Sequence, residues 1–282
     1  MATVTLKLDK DQLDLLDKLY HEYYQNGPLP PYVTAIYRPN DCVITVYSSQ
    51  KAVFQGNEAD YHAAVFQPSK DLYQHAGSDE VGTGDYFGPV CVCACIVNHT
   101  HQELLNQLEI RDSKALTDAK IMIIAPQLIK NLPHSLLILH NRKYNQIQTF
   151  NNMNEIKAKM HNQAYLNLRK KVPLPKKIII DQFTPEKNYY RYLASEPQVI
   201  SGISFETKAE DKYPAVGCAS IIARYAFLKA FKNMNEHYDW VFPKGAGDKV
   251  DTNARKFIER FGSEELKNVA KLNFKNTDRI KE

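Results

Sequence analysis

Apolar runs of membrane-spanning length are missing from this 282-residue chain. Its first residues, Met1-Ala2-Thr3-Val4-Thr5-Leu6, lack the basic-then-apolar order of a secretory leader. The expectation is a cytoplasmic protein with no membrane partner. Low-complexity tracts and internal repeats are absent too, and 44% hydrophobic with 24% charged residues is a globular balance. Cysteine is scarce and odd in number, five residues with no Cys-x-x-Cys pair. None of the nine histidines falls in a His-Glu-x-x-His or other compact metal spacing. These absences argue against a disulfide framework, a zinc ribbon and a zinc hydrolase. Cys91, Cys93 and Cys95 alternate, so they share one strand face and read as reduced core thiols.

Net charge is only +4, but it is unevenly spread. Residues 1–70 hold six Lys and Arg against eight Asp and Glu, about −2; the remainder holds thirty against twenty-four, about +6. A basic body around an acidic centre suits a phosphate-bearing partner, although ordinary charge scatter gives the same figure.

The pattern of elements predicts two domains. Thr3 to Leu8 alternates as a strand, and Lys10 to Tyr24 carries Leu13, Leu16, Leu19 and Tyr20 at helical spacing. Three short strands (Tyr32 to Tyr37, Cys42 to Tyr47, Ala52 to Gln55) and a helix from Glu58 to Phe66 complete an α+β module over residues 1–66. Residues 67–72 read as a linker, and residues 73–282 as a larger α/β domain. There, strands at Leu72 to Ser78, Val90 to Val97, Leu136 to His140, Lys177 to Asp181 and Val199 to Phe205 alternate with helices. The helices include one at Thr117 to Asn131, a long one from Tyr144 to Lys171 with or without an interruption, and a small-residue helix from Ala215 to Phe231.

One run carries the chemistry: Gly77-Ser78-Asp79-Glu80-Val81-Gly82-Thr83-Gly84-Asp85-Tyr86-Phe87-Gly88-Pro89-Val90. Two adjacent carboxylates end an apolar strand and precede a glycine turn. No basic residue lies nearby in sequence, so their repulsion calls for a cation, and oxygen-only ligands suit Mg2+ or Mn2+. Asp181, ending the apolar Ile178-Ile179-Ile180 strand, would deliver a third carboxylate to one sheet edge. Taken singly, the first pair reads equally as a hairpin rim and Asp181 as a turn-initiating residue. Neighbours on a regular strand point to opposite faces, so Asp79 and Glu80 converge only if the strand ends or kinks there.

The run from Asp79 to Pro89 resembles the signature of ribonuclease HIII, of the type 2 ribonuclease H family. Asp112-Ser113-Lys114-Ala115-Leu116, His161-Asn162-Gln163-Ala164, Ile180-Asp181-Gln182-Phe183, Ala219-Ser220-Ile221-Ile222-Ala223-Arg224 and Ala270-Lys271-Leu272-Asn273-Phe274 are also similar. Thr83 stands where the related ribonuclease HII has Arg. The resemblance implies a ribonuclease H-like mixed sheet flanked by helices, with a small N-terminal α+β domain resembling half of a TATA-binding protein. It implies an endonuclease that hydrolyses the RNA strand of RNA–DNA hybrids with two Mg2+ or Mn2+ ions, leaving 5′-phosphate and 3′-hydroxyl ends. Asp79, Glu80 and Asp181 carry over as metal ligands. Glu186 is the candidate fourth acid and Glu210 its rival.

Gly82, Thr83 and Gly84 are placed to read the 2′-hydroxyl that marks RNA. Ser113, Lys114, Tyr144, Asn145 and Lys208 are further substrate-binding candidates, with Lys244 and Lys271 weaker ones. In the first module Tyr32, Tyr37, Arg38 and Tyr47 are candidates for stacking and charge, or for packing. Two other readings stay open: incision at single ribonucleotides in duplex DNA, and noncatalytic nucleic-acid binding. A monomer is the default expectation.

Overall fold

Ala2, Val4 and Leu6 alternate with Thr3, Thr5 and Lys7, which gives the first strand one apolar side. The computed structural model describes residues 2–66, 74–110 and 116–281; the expected linker, Ser113 and Lys114 lie outside them. The chain divides into two units, Met1–Asp71 and Leu72–Glu282. The first contains β1 (Ala2–Lys7), α1 (Lys10–Tyr20), β2 (Val33–Tyr37), β3 (Cys42–Tyr47), β4 (Lys51–Gly56) and α2 (Ala59–Ala64). Its antiparallel sheet has the order β1-β4-β3-β2. Asp9 caps α1 in a reciprocal box with Gln12, satisfying two N–H groups the helix start leaves over. Leu16, Tyr20, Ala59 and Ala63 of the helices pack on Ile44, Val46, Ala52 and Phe54 of the sheet. By alternation, the opposite face presents Thr3, Thr5, Val43, Thr45, Tyr47, Val53 and Gln55. Of the two roles open to Tyr37 the structure shows packing: it is a core residue whose hydroxyl donates to Asp17.

The second unit runs β5 (His75–Val81), β6 (Val90–Val97), α3 (Gln102–Gln107), α4 (Asp118–Asn131), β7 (His134–Leu139), α5 (Asn141–Gln148), α6 (Met153–Lys171), β8 (Lys177–Asp181), α7 (Glu186–Tyr192), β9 (Ile203–Glu206), α8 (Ala209–Lys212), α9 (Pro214–Tyr238), α10 (Asp248–Phe261), α11 (Leu266–Val269) and α12 (Lys275–Arg279). The sheet order is β7-β6-β5-β8-β9, antiparallel on the β7 side and parallel on the β9 side. On one face Cys91, Cys93 and Cys95 meet the small residues of α9, backed by Ile121, Ile124 and Leu128 of α4. On the other, Val92, Ala94 and Ile96 meet Ala158, Ala164 and Tyr165 of α6. All five cysteines are buried and unpaired with one another.

The long helix read from Tyr144 to Lys171 is interrupted: the Asn152 side chain accepts from the Glu155 N–H and starts α6 afresh. Two expectations change. The strand expected at Val199 begins only at Ile203. The 25-residue α9 is, by length and composition, long and apolar enough to cross a membrane, where no run of that length was expected. Here it is the central core helix, with Val216, Ala219, Ile222 and Ala223 fully buried against the sheet.

Gly77 is what allows α9 to lie so close to β5. A Cβ there would stand 2.4 Å from the Val216 backbone nitrogen. Gly77→Ala should therefore lower stability by about 1–3 kcal/mol by forcing helix and strand apart, measured by urea unfolding. A substitution within about 0.5 kcal/mol of the parent would contradict the close approach.

Candidate active site

Strand β5 does not end or kink at its acids. It stays paired with β6 through Asp79↔Cys93, Glu80↔Val92 and Val81↔Cys91. The two carboxylates therefore leave on opposite faces, Asp79 toward α9 and Glu80 toward α6. Parallel pairing to β8 runs as far as Ser78↔Ile180, which sets Asp181 on the same side as Asp79.

On the α9 side, Asp79 accepts a hydrogen bond from the Ser220 hydroxyl. Asp181 Oδ1 accepts the Ala209 N–H at 2.8 Å, and its carboxyl is hydrogen bonded to that of Glu210. Asp79, Asp181, Glu210 and Ser220, with Ile121, Ile221 and Arg224, line a cleft of about 340 Å3. Burial, then the neighbouring Glu80 charge, pushes the Asp79 carboxyl up to about 8. Burial likewise raises Asp181, reinforced by the charges of Glu210 and Glu80. Carboxyls that sit too close to ionise together are a site short of positive charge.

On the α6 side the opposite holds. Lys157 and His161, one helical turn apart, both reach Glu80. Lys157 Nζ donates to Oε1 at 2.8 Å and His161 Nε2 to Oε2 at 2.9 Å. The second imidazole nitrogen meets the buried Ser78 hydroxyl at 2.7 Å. Phe183 stacks on the His161 ring at 5.3 Å, and the Lys157 ammonium lies 4.1 Å from the Phe183 centroid. Burial works against the Glu80 charge, but His161 and Lys157 outweigh it and hold the carboxyl below its usual range. Neither partner was found from the sequence as a contact of Glu80. The only trace was the His161-Asn162-Gln163-Ala164 segment, which carried the resemblance without a role.

The other expected site residues divide. Gly82, at φ +92°, is buried against Pro89 O and Phe227, so it shapes the turn. Thr83 is half-buried and Gly84 exposed. Lys208 is exposed, left-handed at φ 53°, directly before the Ala209 that holds Asp181. Glu186 is exposed on the first turn of α7 and does not line the cleft, whereas Glu210 does. Tyr144 is fully buried and its hydroxyl donates to Asn273, so it does not line a groove. Asn145 is spent on the backbone: its amide donates to Lys267 O and Ala270 O and its oxygen accepts the Leu272 N–H. Lys271 is also fully buried, donating to Asp85 O and Gly88 O at 2.7 and 2.6 Å, and is no phosphate ligand.

The donor set around the cleft is all oxygen and short of positive charge, which fits a hard divalent cation. Among the described residues, no three His, Cys, Asp or Glu side chains form a ready-made metal cage. An ion that keeps several waters and binds one or two carboxylates needs none.

A family model described as ribonuclease HII matches residues 76–277, and one described as a domain of unknown function matches residues 3–76. Ribonuclease HIII of Listeria monocytogenes is 39% identical, covering 99% of this chain and 98% of its own. The chain belongs to the ribonuclease HIII family. Ribonuclease HIII of Bacillus anthracis is 41% identical over 84% of this chain and 85% of its own. A crystal structure of Bst-RNase HIII in complex with Mn2+ matches with a TM-score of 0.73 and 35% identity, covering 99% of this chain and 98% of that one. Aquifex aeolicus RNase H3, at 21% identity and a TM-score of 0.58, shares the fold.

In this member of the ribonuclease HIII family Asp79 and Glu80 stand side by side, and their different surroundings predict a pH effect. The folded Asp79 carboxyl titrates above its unfolded value of 3.8, so its contribution to stability is complete below that value and is lost as pH rises toward about 8. Asp79→Asn, which cannot ionise, should become more stable than the parent across that window. In chelator at pH 8 the gain should exceed about 1 kcal/mol. A difference between the two that stays flat from pH 4 to 8 would contradict this environment.

Proposed function

We propose that this ribonuclease H hydrolyses the RNA strand of RNA–DNA hybrids, leaving 5′-phosphate and 3′-hydroxyl ends, with Mg2+ or Mn2+ as cofactor. The observation that carries the reading is the gathering of Asp79, Asp181 and Glu210 in one cleft at the sheet edge, beside Glu80. Asp79 and Asp181 serve as metal ligands; Glu80, expected as a third, leaves the opposite face of β5, where Lys157 and His161 hold both its oxygens, and does not line the cleft. Glu210 is the better-placed fourth acid, with Glu186 outside the cleft. When bound there, the divalent ions supply Lewis acidity that activates water and neutralises the leaving oxygen of an in-line displacement.

The chain's own groups do the rest. Ser220 and the Ala209 N–H orient Asp79 and Asp181. Lys157 and His161 hold Glu80 ionised and in one orientation. Thr83 and Gly84 stand at the exposed end of the turn, where backbone groups meet a 2′-hydroxyl, and Lys208 reaches a neighbouring phosphate. Residues 73–282 form the catalytic domain and residues 1–66 a hybrid-binding module that uses its open sheet face, joined by 67–72. Thr83 in place of Arg favours continuous hybrids over single ribonucleotides. The protein acts as a cytoplasmic monomer, a setting that suits five buried free thiols.

Cleavage of a labelled hybrid tests the acids. Asp79→Asn should lose at least about a thousandfold in rate while keeping hybrid affinity. Glu210→Gln should fall at least about thirtyfold and Glu186→Gln by less than about threefold; the reverse order would make Glu186 the fourth acid. A truncated variant starting at Ser69 should bind hybrid about tenfold or more weaker with nearly unchanged turnover at saturation. Unchanged affinity would discard the role given to the N-terminal module.

A further inference from the structure

Two cations from distant segments end on one carboxylate at the edge of the cleft. Arg224 of α9 donates from Nε at 3.1 Å and from Nη2 at 2.6 Å to Asp118 Oδ1. Lys244 Nζ donates to Asp118 Oδ2 at 2.5 Å. Arg224 Nη1 also donates to Leu116 O at 2.9 Å. All three charged side chains are partly exposed, at 31% for Arg224, 46% for Lys244 and 44% for Asp118. Ion pairs this accessible add little to stability, so holding the fold together is a poor account of the convergence. Arg224 also lines the cleft one helical turn beyond Ser220, the residue that holds Asp79.

A carboxylate gripped by a guanidinium fork and an ammonium occupies the place a phosphate takes between the same groups. Lys244 and Arg224 hold the Asp118 carboxyl below the usual carboxylate range, so the internal anion stays charged at neutral pH. The trio carries one net positive charge at the border of an acidic cleft. Leu116 O keeps the guanidinium in place when the carboxylate lets go.

We propose that Arg224 and Lys244 form a backbone-phosphate subsite beside the acidic cleft, and that Asp118 is an internal anion which the phosphate of a bound strand displaces. The proposal rests on the nuclease reading, since it takes the ligand to be a nucleic-acid strand. Asp118 then weakens capture of any strand that does not also engage the rest of the surface. It also keeps the two cations from turning toward Asp79 and Asp181 when no strand is bound.

The test is fluorescence anisotropy of a labelled RNA–DNA hybrid with the full chain in EDTA, titrated between about 50 and 200 mM salt. Asp118→Asn should bind several-fold more tightly than the parent, with a salt dependence steeper by about one unit. Lys244→Gln should bind more weakly, with a slope shallower by about one unit. A gain of binding cannot come from misfolding. Asp118→Asn binding no tighter than the parent, with an unchanged circular dichroism spectrum, would overturn the proposal. Absence of hybrid binding by the parent at every salt concentration would remove the nuclease reading, and this proposal with it.

Discussion

Alternation along β5 sends Asp79 and Glu80 into different layers, and the two layers treat a carboxylate differently. The α6 layer offers Lys157 and His161, so Glu80 is neutralised by the protein itself. The α9 layer offers a serine hydroxyl and two further acids, so Asp79 stays under electrostatic pressure. One regular strand thereby separates a satisfied anion from an unsatisfied one within a single residue step. That separation requires α9 to lie close on β5, which depends on the missing side chain at Gly77.

Much of this architecture was legible beforehand. Continuous apolar runs marked β6 and β8, and the small residues of α9 announced close packing on a sheet. Asp79, Asp181 and the glycine turn stood out because their neighbours in sequence are apolar. What stayed hidden were partners far along the chain. Lys157 and His161 lie 77 and 81 residues from Glu80, on a helix whose polar residues look like any solvated face. Hence the inference that the acid pair had no basic neighbour held for the sequence but not for the space around Glu80. Glu210 follows a short strand by a few residues, and only the parallel pairing of β8 with β9 brings that segment beside Asp181.

Polar residues that looked like ligands for substrate were misread for a related reason. Tyr144, Asn145 and Lys271 sit in conspicuous polar motifs, and a backbone carbonyl and a phosphate oxygen attract the same donors. Sequence alone cannot say which acceptor is present. In this fold Lys271 and Asn145 serve the turn after β5, and Tyr144 donates to Asn273. Lys271 grips Asp85 O and Gly88 O, Asn141 donates to Gly88 O, and Asn145 pins the segment that carries Lys271. A buried ammonium costs solvation, which here depresses Lys271 to about 7 despite the favourable Asp85 charge. The turn is thus held by a residue that is itself expensive to bury.

This latch has a bearing on synthesis. Gly88 and Lys271 are 183 residues apart, and Tyr86 meets Thr277 at a separation of 191. A ribosome therefore releases the acids and the glycines long before the residues that brace them. A nascent chain already carries Asp79, Glu80 and the glycines but still lacks the residues that brace the turn after them, so that turn is held only once the last helices dock.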